Sequence, residues 1–174
     1  MPITATDINF YLSGGATNTN PNASLGGAIS TTQITDATLN NLFDDVTGAE
    51  SSAGDTEYRC FYVKNDHATL TWQTVVAWIA SNTPSPGTTV DIGLDPAGVG
   101  DGATTGVATT IADEGTAPTG VTFSAPASAA AGLAIGNIPP GQAIAVWVRR
   151  TVSAGAAAYN NDQVTIQFQG DTAA

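Results

Sequence analysis

The feature that most constrains this chain is a series of short runs in which apolar and polar residues alternate. Residues 163–169 are the clearest: Val164, Ile166 and Phe168 alternate with Thr165, Gln167 and Gln169. A period of two places one set of side chains on each side of a strand, and no helix does that. Further β-type runs occupy 8–12, 57–65, 68–80, 89–94, 133–138 and 143–152, with shorter ones at 107–111 and 121–123. Turn chemistry separates them: Asn65-Asp66-His67, the Pro84 and Pro86 loop, and Pro139-Pro140-Gly141. About seven short strands joined this way predict an all-β fold, a single antiparallel β-sandwich of immunoglobulin-like or jelly-roll type.

Within that fold, Trp72, Trp78 and Trp147 are the natural core anchors, since each indole carries a large apolar area. In the run 68–80, Leu70, Trp72, Val76 and Trp78 share even positions and are expected to face inward together. One helix signal stands out. Leu39, Leu42, Phe43 and Val46 follow i, i+3, i+4, i+7 spacing, with Asp36 as N-cap and Gly48 as stop, so a short helix is expected over 36–46. Residues 16–34 are rich in Asn, Thr, Gly and Ser. The expected organisation is therefore an extended N-terminal arm, 1–34, followed by the sandwich domain, 35–174.

Charge narrows the function. Four Lys and Arg stand against fifteen Asp and Glu, a formal charge of −11. So few basic groups cannot neutralise many phosphates, and nucleic acid is not an expected partner. The longest apolar stretches, 75–80 and 143–148, are far short of the roughly 20 residues of a spanning helix, and no membrane association is expected. Residues 1–30 hold no Lys or Arg and no long apolar run, so a cytoplasmic product without a signal peptide is expected. A single cysteine, Cys60, allows neither an internal disulfide nor a Cys-based zinc site.

Candidate chemistry is sparse. His67, the lone histidine, lies in a turn beside Asp66, which is poorly placed to orient its ring, and reads as a surface turn residue. Cys60 sits in mid-strand and reads as a small buried hydrophobe. Asp44-Asp45, Asp91 with Asp95, and Asp113-Glu114 are the carboxylates that could form a glycosidase pair, but no sugar-binding residues assemble around them. Asp91, Asp95 and Asp101 flank a Gly-rich loop and are the one candidate Ca²⁺ cluster, at a spacing unlike the EF-hand. The expectation is no enzyme, no catalytic residue, no cofactor and no metal. Arg149-Arg150 is half of the positive charge. Neighbours in a strand face opposite sides, so one is expected to pair within the fold and the other to cross a subunit contact.

The runs 57–65 (EYRCFYVKN) and 145–152 (AVWVRRTV), the closing Gly170-Asp171-Thr172, and the start 8–25 with LSGGA and NPNASL resemble small structural proteins of tailed bacteriophages, over nearly the whole chain. Those motifs are structural and not catalytic. The resemblance implies a virion protein, first a capsid decoration (cement) protein that binds the outside of the head and stabilises the lattice. It implies the major capsid protein and copies of itself, as a homo-oligomer such as a trimer, as partners. Phe10, Tyr11, Leu25, Arg149 and Arg150 are the residues expected at such contacts. Two other readings are a tail or baseplate part, and a carbohydrate-binding sandwich in which Tyr58, Trp78 or Tyr159 form a flat exposed platform.

Overall fold

The computed structural model describes residues 2–172. It contains eight strands and one helical turn and a half: β1 (Ile8–Ser13), β2 (Ile29–Gln33), α1 (Gly48–Ala53), β3 (Asp55–Asn65), β4 (Trp72–Ser81), β5 (Thr88–Leu94), β6 (Leu133–Ile138), β7 (Ala143–Val152) and β8 (Thr165–Thr172). Two antiparallel sheets pack face to face, one of five strands in the order β2-β1-β3-β7-β5 and one of three in the order β6-β4-β8. The expected all-β sandwich is the observed fold. Its spine is the β3–β7 ladder, in register from Asp55 opposite Val152 to Lys64 opposite Ala143.

Alternation along β3 and β7 builds two cores, one on each face of the larger sheet. Phe61, Val63, Ile144, Val146 and Val148 point between the sheets, against Val75, Ala77 and Ile79 of β4. Tyr58, Cys60, Tyr62, Ala143, Ala145 and Trp147 point the other way, under Ala108, Ile111, Val121 and Phe123 of the long 95–131 connection. Burial on both faces explains why 143–148 reads as an unbroken apolar run. The Tyr62 hydroxyl fastens this outer layer: it donates to the Gly27 carbonyl (2.7 Å) and accepts from the Ala108 amide (2.8 Å). Where strands were expected at 107–111 and 121–123, there are only single bridges, Gly27 to Ala108 and Ile92 to Ser124. Those segments cover the sheet and do not extend it.

Three sequence expectations need correction. The helix does not lie at 36–46. Ala37 and Asn40 take positive φ (55° and 57°), which interrupts a right-handed helix. Leu39 is left 73 % exposed, while Leu42 and Phe43 pack onto the inter-sheet core. The helix begins where that one was expected to stop. Thr47 caps it, its Oγ1 accepting from the Glu50 amide (3.3 Å) while the Glu50 carboxylate accepts from the Thr47 amide (2.6 Å).

The described part of the 1–34 segment, residues 2–34, does not form an extended arm. β1 lies between β2 and β3 in the large sheet, and residues 24–27 lie along 108–111. Strand 8–13 is half-apolar and gains a full ladder by pairing with β3, which an arm would forgo. Third, the inward phase of β4 switches. Trp72 is buried, but a bulge at Thr74 (φ 51°) inserts one residue into β4 relative to β8. Beyond it the odd residues Val75, Ala77 and Ile79 face the core, and Trp78 is turned outward, half-buried. Trp78 is therefore not a core anchor, whereas Trp72 and Trp147 are.

Candidate functional site

Strand register, more than sequence proximity, sets the chemistry of this chain. Glu57 and Arg150 are direct cross-strand neighbours on the inner face. Arg150 Nε donates to Glu57 Oε2 (2.6 Å) and its Nη1 to the Asp44 carbonyl (2.7 Å). Arg59, fully buried two residues along β3, donates from Nη2 to the Glu114 carboxylate and from Nη1 to the Tyr58 carbonyl (3.2 Å). The Asp44 carboxylate lies 3.9 and 3.6 Å from the two guanidinium groups. The Phe43 ring covers both, 5.5 Å from Arg59 Cζ and 4.7 Å from Arg150 Cζ. Burial pushes the Glu57 carboxyl up, and Arg150 beside it works in the opposite direction. Oxygens of Asp44, Glu57 and Glu114 come within 4.8 Å of one another, but the two guanidinium groups already occupy the space between them. The cluster holds the 36–47 and 112–116 segments onto the sandwich, two guanidinium groups against three carboxylates.

Arg149 faces the opposite side and pairs with its own cross-strand neighbour, Asp91 (Nη2 to Oδ2, 2.8 Å; Nε to Oδ2, 3.1 Å), above the Phe123 ring. Both arginines are thus engaged inside the chain, Arg150 nearly buried and Arg149 with about a third of its side chain exposed. The other residues expected at contacts also scatter. Phe10 points between the sheets, its ring 6.2 Å from Phe61 and 5.5 Å from Phe168. Leu25 packs on the opposite face, against the Tyr58 and Trp147 layer. Tyr11 donates its hydroxyl to Asp66 Oδ2 (2.9 Å) and accepts from Gln33 Nε2 (3.1 Å), with the Lys64 ammonium 5.6 Å from its ring.

The remaining candidates resolve into structural work. His67 Nδ1 accepts the Thr69 and Leu70 amides (3.1 and 2.9 Å) and so closes the β3–β4 turn. Cys60 is inaccessible and burial pushes its thiol well up. Asp91, Asp95 and Asp101 do not converge. Asp91 serves Arg149; Asp95, 3 % exposed, accepts from Trp147 Nε1 and the Thr109 and Ala97 amides; Asp101 caps its own loop through the 103–105 amides. The Thr104 hydroxyl, which donates to Oδ2, and those three amides hold the Asp101 carboxyl well below the usual range. Tyr58 is buried on one side of the molecule, Trp78 half-exposed on the other, and Tyr159 lies in the loop before β8. They share no platform.

What the fold does leave open is the outer face of the three-stranded sheet. Val76 and Trp78 lie at its centre, with Gln169 and Gln167 directly opposite them on β8 and Ala134 opposite Val76 on β6. Thr165, Gln167, Gln169 and Ala134 are exposed among the described residues. Among the described residues the one charged group at this face is Asp171, at its end, whose carboxylate accepts from the Thr74 hydroxyl (2.5 Å). In a chain of charge −11 this is a neutral, mixed amide and indole surface. Only the bulge at Thr74 brings Trp78 there, and the positive φ of a non-glycine residue in a strand has no sequence signal. No family model, no curated protein and no solved structure matches the chain.

Proposed function

We propose that this chain is a structural protein of a tailed-bacteriophage virion, of the capsid-decoration type, that binds the outside of the head and stabilises the major capsid protein lattice. The observation that carries the reading is the contrast between its two sheet faces. The five-stranded sheet is covered on its outer side by the chain's own 95–131 connection, while the three-stranded sheet presents a bare, neutral face around Trp78. Such a face suits a docked protein surface: the indole supplies area at little entropic cost, and the glutamines supply hydrogen bonds. The acidic remainder keeps copies soluble and repels released genomic DNA. The resemblance of the 57–65 and 145–152 runs to phage structural proteins supplies the class of partner.

The test is cosedimentation of labelled protein with DNA-filled heads that lack it and, separately, with isolated tails. Saturable binding to heads at high copy number, lost in Trp78→Glu with unchanged circular dichroism, is the expected result. Binding to tails alone would move the protein to the tail or baseplate. Binding to neither would end the virion reading.

A further inference from the structure

Each sheet ends in two strands with one open edge, β2 and β5 on the large sheet, β6 and β8 on the small one. Unpaired edges invite another strand, and proteins normally close them. Three of the four are closed or irregular here. On β5, the Asn82 side chain takes both backbone groups of Val90 (3.0 and 2.8 Å), and Ser124 takes both of Ile92 (2.9 and 3.0 Å). On β2, the Ile29 amide goes to the Gly102 carbonyl and the Thr31 amide to that of Ala16. β6 is six residues long and is twisted at Gly136 (φ 89°).

β8 is different. It runs for eight residues without proline, lysine or arginine. Both of its register shifts against β4 place the extra residue in β4, so β8 itself is regular. Among the described residues, no backbone group of 165–171 bonds to any segment other than β4. Its inward side chains Ile166 and Phe168 stay half-buried, whereas Val75, Ala77 and Ile79 on the neighbouring strand are no more than 4 % exposed. A further strand alongside β8 would satisfy its backbone and cover that flank.

We infer that the added strand is β8 of a second copy, paired antiparallel across a two-fold axis at Phe168. The choice of a second copy follows from charge and symmetry. Two chains of −11 repel except where their surfaces are neutral, and β8 carries a single charge, Asp171. A two-fold contact places the same strand on both sides, so an edge neutral on one copy is neutral on the other. Centred on Phe168, the ladder sets Gln167 opposite Gln169 of the second copy and Ile166 opposite its Gly170. Each Asp171 then meets a Thr165 hydroxyl. The two Asp171 groups stand six residues apart along the ladder, about 20 Å, beyond the screening length at physiological salt. A register centred on Gln169 brings the carboxylates closer, and one centred on Gln167 sets Gln167 opposite Gln167, which the two variants below tell apart. This inference deepens the virion reading by naming the surface for its own-copy contact, and it rests on that reading only for the biological use of the pair.

Sedimentation equilibrium on the full chain, over a series reaching about 1 mM, reads it directly. The expected result is reversible association to twice the chain mass of 17.5 kDa, with β8 amides gaining protection from hydrogen exchange as concentration rises. Two variants at exposed positions fix the register. Q167K/Q169K places lysine opposite lysine twice and should weaken pairing at least tenfold. Q167K/Q169E places lysine opposite glutamate twice and should pair as the original does. Circular dichroism confirms that both fold. A chain monomeric throughout the series, a dimer indifferent to Q167K/Q169K, or two variants that behave alike would each overturn the inference. Head binding by a monomeric chain would leave the virion reading standing and this one refuted; a β8 dimer that binds neither heads nor tails would do the reverse.

Discussion

Asp95→Ala tests whether a single carboxylate pins the outer layer to the sheet. Asp95 is 3 % exposed, and its Oδ2 accepts from Trp147 Nε1 and from the Thr109 amide, both at 2.9 Å; its Oδ1 accepts from the Ala97 amide at 2.9 Å. Truncation to alanine frees three donors with unequal consequences. Ala97 is exposed and its amide regains water. Trp147 is fully buried, and Thr109 is covered by the 24–27 segment, so two donors are stranded. Each buried unsatisfied donor costs about 1–3 kcal/mol, which gives roughly 4 kcal/mol in all. For a domain of this size that corresponds to a fall in Tm of about 8–16 °C. Urea unfolding followed by tryptophan fluorescence measures it, with an unchanged m-value to show that the native fold persists. A loss under about 1 kcal/mol would refute the reasoning, because water would then reach Trp147 Nε1 and the layer would not be sealed.

Three further predictions follow from the same geometry. Gly26→Ala should fail to fold or lose more than about 4 kcal/mol: φ is 85°, and a Cβ there would sit 1.7 Å from the Thr109 carbonyl oxygen. Expression as soluble, cooperatively unfolding protein would contradict it. Cys60 should resist thiol reagents in the native state and react only at the rate of unfolding, since the side chain is inaccessible and burial pushes its pKa up; fast native labelling would show that the outer layer opens. Asp66→Asn should destabilise the protein at pH 7 by an amount that shrinks in acid. Burial raises the Asp66 carboxyl, but hydrogen bonds from Lys64, Asn9 and Tyr11 outweigh it, and the net pKa lies below the ordinary 3.8. A lowered carboxyl contributes stability above its unfolded value and loses it as pH falls through the folded one, so the deficit should fade below pH 3.8. A deficit independent of pH would mean that shape, not charge, holds that contact.

Much of the fold was legible because strand character is local. A period of two is written in consecutive residues, and 164–169, at the start of β8, show it with Val164, Ile166 and Phe168 inward and Thr165, Gln167 and Gln169 outward. The unbroken apolar run of β7 likewise announces a strand buried on both faces. The capping box Thr47-Gly48-Ala49-Glu50 is also local, and it marks the start of α1 where the apolar spacing at 39–46 does not. That spacing belongs to a strap which turns through positive φ at Ala37 and Asn40 and buries Phe43 over two arginines.

That the chain forms strands, roughly where they run, and that its charge is scarce and acidic follow from the order of residues alone. Which groups meet follows from the packing of the folded chain. Asp91 finds Arg149 and Glu57 finds Arg150 because β7 lies between β3 and β5 in a particular register, across 58 and 93 residues of chain. One bulge at Thr74 sends Trp78 to the outside, and among the described residues the backbone of 165–171 pairs only with β4, which leaves a regular edge open. Periodicity is a property of neighbours along the chain, while register, edges and ion pairs are properties of neighbours in space. A displacement of one residue exchanges the two faces of a strand while leaving its sequence pattern untouched.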